Sequence, residues 1–261
     1  MRSLKLFAIP LAAVILLSAC SGKTETKPEP TTTTTAATAE NTETTTTEAT
    51  TTAETTAEAE PAGIEGAYTI TRVTGEPDWS AVPELHLDNI LWQPDCGIRA
   101  SGQLCYDDEN LYVHLYATEQ DIRAENTEPL SPVYQDSCLE FFFMPEGEDR
   151  YFNFEINPNG CLYIGFGHGR NDSTTLYRYD AETFFDIRPG RTDDGWEVFY
   201  KVPLSFVNTF CPDAKFAGTL RANLYKCGDK TANKHYLAWN YVNSEKPDYH
   251  RPQDFGTMIF E

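Results

Sequence analysis

The stretch YQDSCLEFFFMPEGEDRYFNFEINPNG, residues 134–160, decides the fold. It reads as two strands joined by a short polar loop. In the second strand Phe152, Phe154 and Ile156 alternate with Asn153, Glu155 and Asn157. Successive strand residues point to opposite faces, so one face belongs to a core and the other to water or a ligand. In the first strand Leu139, Phe141 and Phe143 share the core face, and Cys138, Glu140 and Phe142 share the other. Paired as a hairpin, the two strands bring Glu140 and Glu155 near each other on the non-core face. Polar strand faces are commonly no more than wet, so a solvated face is the default expectation. Two carboxylates and two amides beside aromatic rings are hydrogen-bonding chemistry, and a ligand face is the alternative.

Working outward, similar runs recur along the chain, at residues 103–105, 111–117, 161–166, 184–188, 197–202, 219–226, 236–241 and 257–260. Turn chemistry separates them: Asp107-Asp108-Glu109-Asn110, Pro158-Asn159-Gly160, Asp193-Asp194-Gly195 and Cys227-Gly228-Asp229. No sustained helical period is present, and residues 203–208 suit a single helical turn. Many short, aromatic-rich strands predict an all-β protein, a single β-sandwich of jelly-roll type. About 200 residues lie beyond residue 62, enough for one core and too few for two comfortable domains.

The first 62 residues have a different character. Arg2 and Lys5 precede an apolar run over residues 6–17, too short to span a bilayer comfortably. The run ends in Leu17-Ser18-Ala19-Cys20, which resembles a bacterial lipobox and implies cleavage before a lipidated Cys20. Residues 21–62 are almost entirely Thr, Ala and Glu with a few Pro, and offer too little to bury to offset the entropy of ordering. They read as a disordered tether, leaving residues 63–261 as the folded part, lipid-anchored to the outer face of the bacterial membrane. The formal net charge is −20. The tether holds eight glutamates against Lys23 and Lys27 and so carries −6, the signal carries +2, and −16 falls on the folded part. Such a surface disfavours nucleic acid and anionic lipid, and leaves neutral and cationic ligands open.

Beyond Cys20, the six cysteines Cys96, Cys105, Cys138, Cys161, Cys211 and Cys227 show no CxxC spacing, which argues against zinc. An exported chain could oxidise them into as many as three disulfides. Several lie mid-strand among apolar residues, as buried thiols do, and the expectation is mostly reduced cysteine. The five histidines and the serines show no triad spacing. His114 alternates within an apolar strand and reads as structural. Trp79, Trp92, Trp196 and Trp239 read as core anchors, with Trp239 the best candidate for exposure.

Several pieces in order resemble the family 9 carbohydrate-binding modules and the wider DOMON-like group. They are the strand-turn-strand Tyr106-Asp107-Asp108-Glu109-Asn110-Leu111-Tyr112-Val113 and the signature-like Asp136-Ser137-Cys138-Leu139-Glu140-Phe141-Phe142, with one extra residue before the glutamate. Residues 151–160 and 195–203 follow, then Asn223-Leu224-Tyr225-Lys226, residues 235–239 and Pro252-Gln253-Asp254-Phe255-Gly256. The resemblance spans residues 65–261. It implies a β-sandwich without catalytic residues, holding the end of a glucan, xylan or small sugar between two aromatic rings. Flat stacking on sugar C–H faces then gives affinity, and polar groups at the rim give selectivity.

Carried onto this chain, the resemblance makes Tyr134, six residues before Glu140, and Tyr249, three before Pro252, the two rings. Both are Tyr where better-known members use Trp. Glu140 becomes an acceptor for sugar hydroxyls. Glu155 stands where some members carry arginine, which reverses the charge. Asn153 and Asn223 follow the same strand rule, and Arg170 is placed to reach Glu155. The family also brings structural calcium, for which the oxygen-rich residues 119–136 offer hard ligands but no DxDxDG-like loop. Two alternatives stand beside the binder: a glycoside hydrolase using Glu140 and Glu155, and a structural lipoprotein with a vestigial site. Haem, which some DOMON relatives hold through Met and His, would need Met144 or Met258.

Overall fold

The computed structural model describes residues 66–261; the signal, Cys20 and the tether lie outside the described residues. The strands are β1 (Tyr68–Arg72), β2 (Leu85–His86), β3 (Asn89–Ile90), β4 (Arg99–Tyr106), β5 (Asn110–Thr118), β6 (Cys138–Pro145), β7 (Tyr151–Ile156), β8 (Leu162–Gly169) and β9 (Asp172–Leu176). After the short helix α1 (Ala181–Phe184) come β10 (Arg188–Arg191), β11 (Gly195–Pro203), helix α2 (Leu204–Phe210), β12 (Thr219–Cys227), β13 (Tyr236–Ala238) and β14 (Gly256–Phe260).

Two sheets face each other. One runs β10-β11-β5-β4 and the other β14-β12-β6-β7-β8-β9. β1 ties them together: Tyr68, Thr69 and Ile70 pair with β14, and Thr71 and Arg72 pair with β4. Strands that switch sheets make the corners of such sandwiches. The core between the sheets is built by strict alternation: Leu111, Val113, Leu115 and Ala117 from β5, Trp196, Val198, Tyr200 and Val202 from β11, and Leu220, Ala222 and Leu224 from β12. At its centre a Cβ on Gly102 would lie 2.3 Å from Leu224 Cδ2 and 2.8 Å from Leu115 Cδ2, so any larger residue there must displace both leucine side chains.

The expected core face of residues 134–160 is realised in full. Leu139, Phe141, Phe143, Phe152, Phe154 and Ile156 are at most 1 % exposed and belong to the central core. β6 and β7 pair antiparallel, with Glu140 directly opposite Glu155. The expected wet face is not wet. A second apolar layer covers it, in which Cys138, Phe142, Tyr151, Tyr225, Cys227 and Tyr236 pack beneath Leu91, Val133, Val242, Tyr249 and Phe255. Antiparallel sheets often leave one face to solvent; here the segments before β4, before β6 and after β13 roof it.

Two strand expectations change. Residues 184–188 are not a strand: α1 ends at Phe184, Asp186 turns the chain at φ 50°, and β10 begins only at Arg188. The run is apolar because Phe185 and Ile187 plug the core from a turn. The strand expected over 236–241 stops at Ala238. Of the four tryptophans only Trp196 is fully buried. All six cysteines in the described residues are free thiols, four of them buried.

Candidate functional site

A cavity of about 380 Å³ opens over the ends of β6, β7, β8 and β12. Its floor holds Glu140, Glu155, Tyr163 and Cys227. Its walls come from Trp92, residues 130–134 and residues 247–250, with Arg170 at the rim. Each floor residue is placed by period-two geometry, because it lies on the strand face turned away from the central core.

The two glutamates dominate its chemistry. Glu140 and Glu155 are 3 % and 6 % exposed. Each has one oxygen held by the protein: Cys227 Sγ donates to Glu140 Oε1 at 2.9 Å, and Asn153 Nδ2 donates to Glu155 Oε1 at 2.7 Å. No described residue donates to the second oxygen of either. Burial pushes the Glu155 carboxyl up to about 7. Burial, with Glu155 opposite, holds Glu140 well above the usual carboxylate range. Two carboxyl groups directly opposite each other in a largely buried floor share protons as a pair.

The walls are held with equal care. Tyr134 sits on a single 3-10 turn, Val133–Gln135, and is 43 % exposed. Its carbonyl accepts from Asp229 N at 3.3 Å, docking the turn against the end of β12. Trp92 adopts φ 54°, uncommon for a bulky residue, and donates from Nε1 to Ser244 O at 2.6 Å. Its ring meets Tyr236 edge-on at 5.4 Å and Tyr249 at 5.5 Å. His250, neutral because burial and then Arg170 drive its pKa down to about 4, shares a 2.8 Å hydrogen bond with Tyr151 Oη.

Five of the seven residues singled out from sequence line this cavity: Tyr134, Tyr249, Glu140, Glu155 and Arg170. Their settings differ from the expected ones. Tyr249 is no free ring: it is 7 % exposed, stacked on Tyr225 at 4.0 Å, with Oη donating to the carbonyls of Lys226 and Leu237 at 3.1 Å. Arg170 pairs with Asp248 at 2.9 Å instead of Glu155, because Asp248 on the roofing loop is the nearer exposed carboxylate. Asn153 lies behind Glu155 as its hydrogen-bond donor. Asn223 stands outside the cavity, its amide committed to the backbone of Asn240 and Leu224. Trp92, expected as a core anchor, is a wall residue; its signal is a bulky residue in a polar, turn-rich run, Leu91-Trp92-Gln93-Pro94-Asp95. Trp239 is half-buried against the central core.

In the oxygen-rich segment of residues 119–136, the two buried carboxylates are held by other protein groups. Asp136 Oδ2 accepts from Glu125 N, Asn126 N, Asn126 Nδ2 and Asn157 Nδ2 at 2.9–3.1 Å. Burial alone would raise this carboxyl; the donors of Asn126 and Asn157 more than reverse that and hold it below the usual range. Glu119 pairs with the buried Lys226 at 3.0 Å and accepts from Ser137 Oγ and Trp196 Nε1. Cys138, Glu140 and Cys227 bring their donor atoms within 4.8 Å of one another, the one such grouping among the described residues. Within it Cys227 Sγ donates to Glu140 Oε1, and burial pushes the Cys138 thiol up to about 12. Met258 is packed in the central core.

Comparison with known proteins follows this geometry. The carbohydrate-binding family 9 profile matches residues 77–260. Among solved structures, a candidate carbohydrate-binding protein from Bacteroides uniformis is 26 % identical, with a TM-score of 0.64 over 75 % of this chain and 99 % of that one. A family 9 module from Caldicellulosiruptor kristjanssonii solved with glucose is 15 % identical, with a TM-score of 0.54 over 75 % of this chain and 95 % of its own. The same organism's module with cellotriose is 14 % identical, with a TM-score of 0.53 over 75 % and 93 %. Comparison with curated proteins returns no match. With a β-sandwich, a lined cavity on its roofed face and a profile match over most of its length, this chain belongs to carbohydrate-binding family 9.

Proposed function

We propose that this protein is a non-catalytic sugar binder that captures an oligosaccharide or glycan end of glucan or xylan type at the outer face of the bacterial membrane. One observation carries the reading: a single cavity joins unpartnered, buried carboxylate oxygens to aromatic walls. Its 380 Å³ falls within the roughly 300–1,000 Å³ typical of small-molecule sites. Sugar hydroxyls would donate to Glu140 and Glu155, and Tyr134 and Trp92 would supply ring surface. The glucose and cellotriose bound by the Caldicellulosiruptor kristjanssonii module support a glucan-type ligand. The lipobox-like Cys20 and the tether support display of the site away from a membrane surface.

The same geometry argues against a glycosidase. Glycosidase carboxylates flank the scissile bond. Glu140 and Glu155 rise from neighbouring strands of one floor, so a sugar lies over both and not between them. The test is calorimetric titration of the purified protein with cellotriose and xylotriose. Binding that Tyr134→Ala weakens by about tenfold is the expected result, since an aromatic contact with its buried area accounts for roughly 1–2 kcal/mol. No heat with any mono- or oligosaccharide at millimolar concentration would leave the structural-lipoprotein reading standing. Reducing sugar released by the wild type and not by Glu140→Gln would make it an enzyme.

A further inference from the structure

The cavity gathers more carboxyl groups than a neutral sugar needs. Glu140, Glu155, Asp229 and Asp248 line it, against one cation, Arg170, already paired with Asp248 at 2.9 Å. Asp229 accepts from Tyr236 Oη at 2.6 Å, which leaves the two floor glutamates with unpartnered oxygens. A neutral hydroxyl can donate one hydrogen and brings no charge. An ammonium group donates three, and its charge favours ionisation of the carboxyl pair it bridges.

We propose that the site is built for a sugar carrying a protonated amine, such as a glucosamine unit, with the ammonium bridging the free oxygens of Glu140 and Glu155. The inference rests on the sugar-binding reading and narrows it. Two further observations favour an ammonium over a metal ion. Trp92, Tyr134 and Tyr249 line the same space, and aromatic faces attract organic cations. The nearest additional donors to Glu140 are thiols, whereas calcium takes six to eight oxygens. The folded part also carries −16, which draws a cationic glycan toward the surface and repels an anionic one.

The experiment is titration of the full protein at pH 7 and low salt with three trisaccharides: glucosamine trimer, its fully N-acetylated form, and cellotriose. The glucosamine trimer is expected to bind tighter than both neutral sugars by about tenfold or more, the worth of one or two charge-assisted hydrogen bonds. Added salt should erode that advantage. Glu155→Gln, which keeps the side-chain shape, should bring the three ligands within about threefold of one another. Arg170→Gln, at an exposed rim position and so without consequence for folding, should widen the preference by leaving Asp248 unpaired. Cellotriose binding as tightly as the glucosamine trimer would overturn this inference and leave sugar binding intact. Neutral-sugar binding that requires calcium and is lost in chelator would overturn it in favour of a metal. Failure of all three sugars would overturn both readings.

Discussion

Replacing Glu155 by Gln should stabilise the protein at neutral pH, by an amount that follows from where the side chain lies. Glu155 is almost fully buried, and burial raises its carboxyl from the ordinary 4.5 to about 7. The folded chain therefore keeps a proton that the unfolded chain sheds. The stabilising contribution is fully present below pH 4.5 and declines as pH rises to about 7. Over that span the loss is about 3 kcal/mol, at 1.36 kcal/mol per unit. Gln keeps the acceptor for Asn153 Nδ2, cannot ionise, and also removes the neighbour that helps hold Glu140 up. Urea unfolding of both proteins at pH 5 and pH 8 measures the effect, with titrations of groups away from the Glu140–Glu155 pair cancelling in the difference. The variant's advantage should grow by about 2.5 kcal/mol between the two pH values, or roughly 5–10 °C in Tm for a protein of this size. An advantage that is the same at pH 5 and pH 8 would refute the reasoning, since it would mean that water reaches the pair and solvates its charge.

Lys226→Met leaves Glu119 charged and buried without its partner, and should cost about 3–5 kcal/mol in urea unfolding. Adding Glu119→Gln to that variant should return much of the loss. Asp136→Ala strands the backbone N–H groups of Glu125 and Asn126, and should cost about 3 kcal/mol or more. Hydrogen exchange should show those two amides opening first. Gly165→Ala places a Cβ 2.2 Å from Asn153 Oδ1, so the amide must move and its bond to Glu155 breaks. Cellotriose affinity should fall by about tenfold, read by calorimetry.

The central core was legible because period-two alternation is a local signal: Phe152, Phe154 and Ile156 announce their face without knowledge of any other strand. The opposition of Glu140 and Glu155 followed from pairing two adjacent strands across a short loop. The second layer was not legible. Residues 242–255 have no strand or helix period that would mark them for burial. They become a roof through contacts distant in sequence, as when Tyr225 Oη reaches Tyr249 O. For the same reason Arg170 found Asp248, a partner 78 residues away, and Tyr249 lost its freedom against Tyr225. Residues 184–188 misled because a buried turn and a strand can share one apolar composition, and only chain reversal at Asp186 separates them.

The floor glutamates stand apart from the other buried carboxyl groups by their partners. Four carboxylates are buried among the described residues: Glu119, Asp136, Glu140 and Glu155. The fold surrounds the first two, with Lys226 and two neutral donors on Glu119, four N–H donors on Asp136 Oδ2, and Arg123 Nε 3.2 Å from Asp136 Oδ1. It places the other two directly opposite each other, gives each a single donor, and leaves their remaining oxygens to the cavity. An apolar pair at those two positions would continue the packing of Phe142 and Tyr151 and avoid the cost of dry, facing carboxylates. A fold that surrounds Glu119 and Asp136 with donors leaves carboxyl oxygens open to a cavity only at Glu140 and Glu155, which is where the proposed ligand would complete them.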